Sequence, residues 1–110
     1  MPDSLPTFSL TFLLYPCEEK PGRFVAHCLE FDVVAVGDGP PEAALLLKEL
    51  VNDLLDTALA DGTLDQVLRP APDDYWRKFA SAQRYDVPHR VARTRIEARN
   101  VKRVDYALVH

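Results

Sequence analysis

Arg23-Phe24-Val25-Ala26-His27-Cys28-Leu29-Glu30-Phe31-Asp32-Val33-Val34-Ala35-Val36 is the stretch on which the fold turns. Phe24, Ala26 and Cys28 alternate with Val25, His27 and Leu29, the period-two pattern of a strand. A turn at Glu30–Asp32 follows, and Val33–Val36 is a short β-branched run that reads as a third strand. Upstream, Thr7–Tyr15 alternates as well. Phe8, Leu10, Phe12 and Leu14 point one way; Thr7, Ser9 and Thr11 point the other, as in a half-buried strand. Between the two lies Pro16-Cys17-Glu18-Glu19-Lys20-Pro21-Gly22, the chemistry of a hairpin loop.

Downstream, Gly37-Asp38-Gly39-Pro40-Pro41 ends the strands and starts a helix, since proline is tolerated in a first helical turn. Asp38 or Gly39 is the expected cap, and Glu42 favours the positive end of the helix dipole. Over Glu42–Ala60 the apolar residues at 43, 47, 50, 51, 54 and 58 have helical spacing. Leu46, Leu55 and Leu59 widen the stripe, and Asp61-Gly62 supplies the stop. Thr63-Leu64-Asp65-Gln66 has the form of a capping box for a short helix. After the stiff Pro70-Ala71-Pro72, the sequence predicts a helix over Asp74–Gln83 with Tyr75, Trp76, Phe79 and Ala80 on one face. Val91–Arg99 alternates and reads as a strand with one strongly basic face. Val104, Tyr106 and Leu108 suggest another. The expectation is one α+β domain: an antiparallel sheet that begins with a three-stranded meander at 1–62, the Glu42–Ala60 helix packed on it, and a C-terminal helix and strand extension at 63–110 belonging to the same domain.

The chain has 110 residues, one domain in size, and a formal charge of −4. That figure is a cancellation. Residues 1–62 carry eleven acids and three bases, and residues 63–110 carry six acids and ten bases. An apolar content of 47 % argues against disorder. The longest apolar stretches fall far short of a membrane span. Met1-Pro2-Asp3-Ser4 places an acid where a signal peptide needs bases, so the sequence reads as cytoplasmic. Cys17 and Cys28 sit at the turn and near the far end of the expected hairpin, which is poor geometry for a bridge, and both read as free thiols.

Catalytic and cofactor signals are weak. His27, His89 and His110 form no ligand pair at helical spacing, and there is no Cys-x-x-Cys, so neither metal nor other cofactor is expected. No serine lies in a nucleophile elbow. Gly37-x-Gly39 lacks the third glycine of a dinucleotide loop and the Lys-Ser/Thr of a P-loop, and two prolines remove donors a phosphate would need. Glu18 and Glu19 read as solvated, and Asp53 and Asp56 share the polar helix face. The expectation is a protein that is not an enzyme.

The basic segment offers more. Seven bases and two acids lie between Arg84 and Arg103. Arg93, Arg95 and Arg99 would line one strand face, and with Arg103 they are candidates for phosphate contact. The same residues suit a solvated face, or pairing with the acidic half of this chain or of a second protomer.

The first half, about Leu10–Leu55, resembles the HicB-like antitoxin family. The residues that carry the likeness are Gly22–Phe31, then Val33–Val36, then Gly37-Asp38 followed by Glu42-Ala43. Pro40-Pro41 departs from the family's usual helix opening. The resemblance implies a partial ribonuclease-H-like fold and a non-catalytic domain that neutralises a small basic RNA-cleaving toxin. The strand Thr7–Tyr15 holds none of the acids that a ribonuclease-H two-metal site requires. An acidic half complements a basic partner and speeds its encounter. The expected contacts are Glu18, Glu19, Glu30, Asp32 and Asp38. In the family, operator DNA is bound by a separate helix-turn-helix or ribbon-helix-helix. The eleven residues after Arg99 read as strand and are too few for the second of these. A homo-oligomer is expected, because the helix carries more leucine than one small sheet needs.

Overall fold

In the computed structural model, residues 8–93 and 101–109 are described. Strand β1 (Phe8–Pro16) pairs antiparallel with β2 (Phe24–Cys28), which pairs antiparallel with β3 (Val33–Gly37). Helix α1 (Pro40–Asp61) follows, then the short α2 (Leu64–Val67), α3 (Asp73–Ser81), the two-residue β4 (Gln83–Arg84), α4 (His89–Ala92) and β5 (Val101–Leu108). The sheet order is β3-β2-β1-β5-β4. The protein is thus mixed α/β.

The expected antiparallel sheet is corrected here. β5 lies beside β1 and runs parallel to it, with Phe12 opposite Tyr106 and Leu14 opposite Leu108, so the sheet is mixed. It draws strands from both sides of Gly62. Parallel neighbours need a long crossover, and the helices between β1 and β5 supply it.

Period two explains the two faces. Leu10, Phe12 and Leu14 of β1, Ala26 and Cys28 of β2, and the partly buried Val104, Tyr106 and Leu108 of β5 pack with Ala43, Leu47, Val51 and Leu55 of α1. Leu13 points the other way and joins Leu29, Ala71 and Ala107 in a second cluster, roofed by Tyr75, Trp76 and Phe79 of α3. Both faces of β1 are therefore covered near its C-terminal end. The helical stripe on α1 differs from expectation at two residues: Leu46 and Leu50 are 37 % and 41 % exposed, while Leu55 is fully buried as expected. Ala80, expected on the packed face of α3, is exposed.

Local chemistry sets the joints. Gly62 takes a φ of 68° and its N–H donates to Ala58 O, the left-handed ending that favours glycine. Of the two expected caps for α1, Gly39 and not Asp38 holds the N-cap position; Thr63 is the N-cap of α2 but makes no side-chain cap bond, so the expected capping box does not form. The strand expected at Val91–Arg99 is corrected where it is described. Pro88 precedes a helical turn in which the Val91 and Ala92 amides donate to Pro88 O and Arg93 to His89 O. Val91 is buried against α1, and the Lys48 ammonium donates to its carbonyl at 2.8 Å. Residues 94–99 of that expected strand lie outside the described residues.

Candidate functional site

β3 is at the end of the sheet, and its surroundings gather most of the acids singled out in the sequence. The register sets Phe24 opposite Pro16 on one side and Gly37 on the other. The loop carrying Glu18 and Glu19, both exposed, is thus at the same end of the sheet as Asp38. Glu30 and Asp32 lie at the opposite end, in the β2–β3 turn. Asp32 and Asp38 directly bracket β3.

These acids differ in their commitments. Glu30 is turned inward: Thr11 donates to it from its backbone N–H and from its hydroxyl, each at 2.7 Å. Asp32 holds a φ of 53°, a left-handed conformation that aspartate tolerates better than most side chains. Its Oδ1 lies 2.7 Å from His27 Nε2, while the Tyr15 hydroxyl lies 3.2 Å from His27 Nδ1. In the neutral imidazole this fixes the tautomer: Nε2–H donates to Asp32 and Nδ1 accepts from Tyr15. The Tyr75 ring closes over His27 at 4.6 Å between centroids. Burial, with the charges of Tyr75 and Asp32 adding to it, pushes the Tyr15 hydroxyl up to about 12. Asp38 Oδ1 lies 3.3 Å from Arg23 Nε in an exposed pair.

Strand pairing carries one row of side chains across the far face: Val34, His27, Leu13, Ala107 and Arg84. Helix α3 covers the middle of this row, and Tyr75 reaches to His27. Val34 and Val36 remain exposed, at 48 % and 37 %. Sequence reading did not single out these two valines, although their period-two placement was legible. A cleft of about 470 Å³ opens beside the start of β3, lined by Asp32, Val33, Leu54, Gln66 and Arg69 among others.

The basic candidates are placed elsewhere. Arg103 is on β5, paired with Asp105 at 3.3 Å. Arg93 ends α4 and is exposed, not on a strand face with the others. Arg95 and Arg99 lie outside the described residues. The structure adds Arg84: with Arg103, Phe79 and Tyr106 it lines a cleft of about 360 Å³. A two-residue β4 has too little pattern to reveal this from sequence.

Cys28 is fully buried, and burial, with Glu30 adding to it, pushes its thiol up to about 12, so it is protonated at neutral pH. Both cysteines are free. Among the described residues no three histidine, cysteine or carboxylate side chains converge as metal ligands, and no helix is long and apolar enough to cross a membrane. Comparison of the chain with family models, with curated proteins and with solved structures finds no match.

Proposed function

We propose that the protein is a non-catalytic protein-binding module, similar to a HicB-like antitoxin, that captures and neutralises a small basic RNA-cleaving protein in the cytoplasm. The partial ribonuclease-H-like arrangement belongs to the same proposal. It is supported by β1, β2 and β3 pairing antiparallel in succession under α1. The observation that carries the functional reading is the acidic bracket around an open edge strand: Asp32 and Asp38 at the two ends of β3, with Glu18 and Glu19 beyond. The test is affinity purification of the tagged chain from its native host. The expected result is a small basic protein at stoichiometric level, encoded beside this chain, whose cleavage of RNA the added chain suppresses. A preparation that retains no such protein overturns the reading.

A second reading, binding of single-stranded nucleic acid by the C-terminal half, is favoured by Arg84 and Arg103 converging beside Phe79. Arginines on phosphates with an aromatic ring for a base are the elements of such sites. We also propose self-association through the outer side of α1, where Leu46 and Leu50 are exposed one helical turn apart.

A further inference from the structure

Edge strands in soluble proteins are normally blunted by charges, proline or a bulge, because a bare edge is a template for another strand. β3 has none of these. Val33-Val34-Ala35-Val36-Gly37 holds no charge and no proline, and it pairs with β2 without a register shift. Among the described residues no strand pairs with its outer side. The strand is also fixed in place: Gly37 lies so close to α1 that a Cβ there would come within 2.5 Å of Ala43 N. A rigid edge loses little entropy on binding.

Charge decides which strand fits. Antiparallel pairing of β3 with β3 of a second copy, centred on Ala35, sets Asp32 opposite Asp38 at both ends. Like charges directly opposed are destabilising. The side chains of Asp32 and Asp38 are 45 % and 70 % exposed, and both internal contacts use Oδ1, leaving a second acceptor oxygen on each. An apolar extended segment with a base beyond each end meets an opposite charge at both.

We propose that β3 accepts such a segment of a partner protein as an added strand, main chain to main chain, with Val34 and Val36 packing against its apolar side chains and Asp32 and Asp38 receiving its terminal bases. This rests on the reading of the chain as a protein-binding module and names the mode of capture.

The test uses the full chain, isotope-labelled, titrated with two synthetic heptapeptides of alternating valine and threonine, one with lysine at both ends and one with glutamate. The lysine-ended peptide is expected to shift the amides of residues 32–38 and to bind at least tenfold more tightly than its counterpart. Val34→Lys, which supplies the missing edge charge, should abolish the effect while leaving the melting temperature unchanged. Equal binding of both peptides, no binding of the lysine-ended one, or shifts centred elsewhere overturns strand addition. So does a Val34→Lys variant whose solution mass halves, since the edge then belongs to a second copy. If wild type and Val34→Lys retain the same basic protein from the host equally well, strand addition fails and the capture reading stands. If the chain retains no such protein, the capture reading fails by itself.

Discussion

Both oxygens of the Glu30 carboxylate accept from Thr11, through its backbone N–H and its hydroxyl at 2.7 Å each, and Oε1 also accepts from the Cys28 thiol at 3.7 Å. The clamp sits where the β1–β2 ladder ends: the last register pair is Phe12 with Cys28, and the Leu29 amide donates to Thr11 O just beyond it. A side chain thus stands in for the next rung. Glu30→Ala leaves the Thr11 donors without this acceptor, and hydrogen bonds to charged groups are worth about 1.5–3 kcal/mol. We predict a loss of that size in urea unfolding, with the slope of the transition unchanged. A Glu30→Ala protein as stable as wild type would show that the clamp is idle.

Gly37→Ala is predicted to destabilise although it changes one methyl group. The added Cβ meets backbone, Ala43 N at 2.5 Å and Ala43 Cα at 2.9 Å, so the helix start must shift away from β3. Overpacking of this kind costs about 1–3 kcal/mol. Thermal unfolding should show a fall of at least about 4 °C. Gly22→Ala is a poor control because Gly22 has a φ of 84°. At Gly39 an added Cβ meets only Pro41 Cδ at an ordinary 3.9 Å and φ is extended, so Gly39→Ala should lower the melting temperature less than Gly37→Ala, by no more than the modest cost of alanine at an N-cap.

Stability is predicted to fall in alkali, starting with Cys28. Its thiol is raised from 9.0 to about 12 by burial, so the folded state keeps a proton that the unfolded state releases above pH 9. The contribution is fully present below pH 9 and is lost as the pH rises to about 12. Tyr15, raised from 10.0 to about 12, adds to the loss from pH 10 upward. Burial of Lys48 lowers its pKa and works in the opposite direction, since the folded state loses that proton first. Urea melts at pH 8, 9 and 10 should show the decline, and Cys28→Val should remove the part between pH 9 and 10. An unchanged decline in Cys28→Val would refute the assignment.

Leu50 and Leu55 on α1 are predicted to separate assembly from folding. Leu55 is fully buried, and Leu55→Ala should cost about 2–5 kcal/mol. Leu50 and Leu46 are exposed, so Leu46→Glu with Leu50→Glu should leave the unfolding midpoint nearly unchanged and lower the solution mass by sedimentation. A mass identical to wild type would remove α1 as the contact between copies.

Arg84→Glu with Arg103→Glu tests the second reading. If the cleft beside Phe79 holds nucleic acid, single-stranded RNA should bind wild type with affinity that falls steeply with salt. The double reversal should abolish that binding at 50 mM salt. Equal retention by both proteins would count against the cleft.

Much of the first half was legible because its signals are local. Alternation in Phe8–Pro16 and helical spacing after Pro40 depend only on neighbours in sequence, and Gly62 announces its own left-handed turn. The Tyr75, Trp76 and Phe79 face of α3 was readable for the same reason. What was illegible depends on partners far along the chain. Nothing within Val101–Leu108 says that it runs parallel beside β1. Leu13 breaks the polar row of Thr7, Ser9 and Thr11, a sign of a second covered face that gained its meaning only with α3 in place. At Val91–Arg93 the alternation was real, but Pro88 starts a helical turn there and Lys48 holds it. Of the acids singled out, exposure alone separates Asp32 and Asp38 from Glu30, whose inward turn depends on Thr11 of another strand.

The insertion of β5 beside β1 has a consequence for synthesis on the ribosome. The central strand receives its second neighbour only after residues up to Leu108 have been made, whereas α1 is complete at Asp61. At translation rates of about 5–20 residues per second, that interval lasts roughly 2–10 s. Throughout it the nascent chain presents two open strands, β3 on one side and β1 on the other, and α3 can cover Leu13 only once Ser81 has been made. Completion then closes β1 and leaves β3 alone, so the finished protein differs from its own intermediate in having a single end of the β1–β3 unit still free to be recognised.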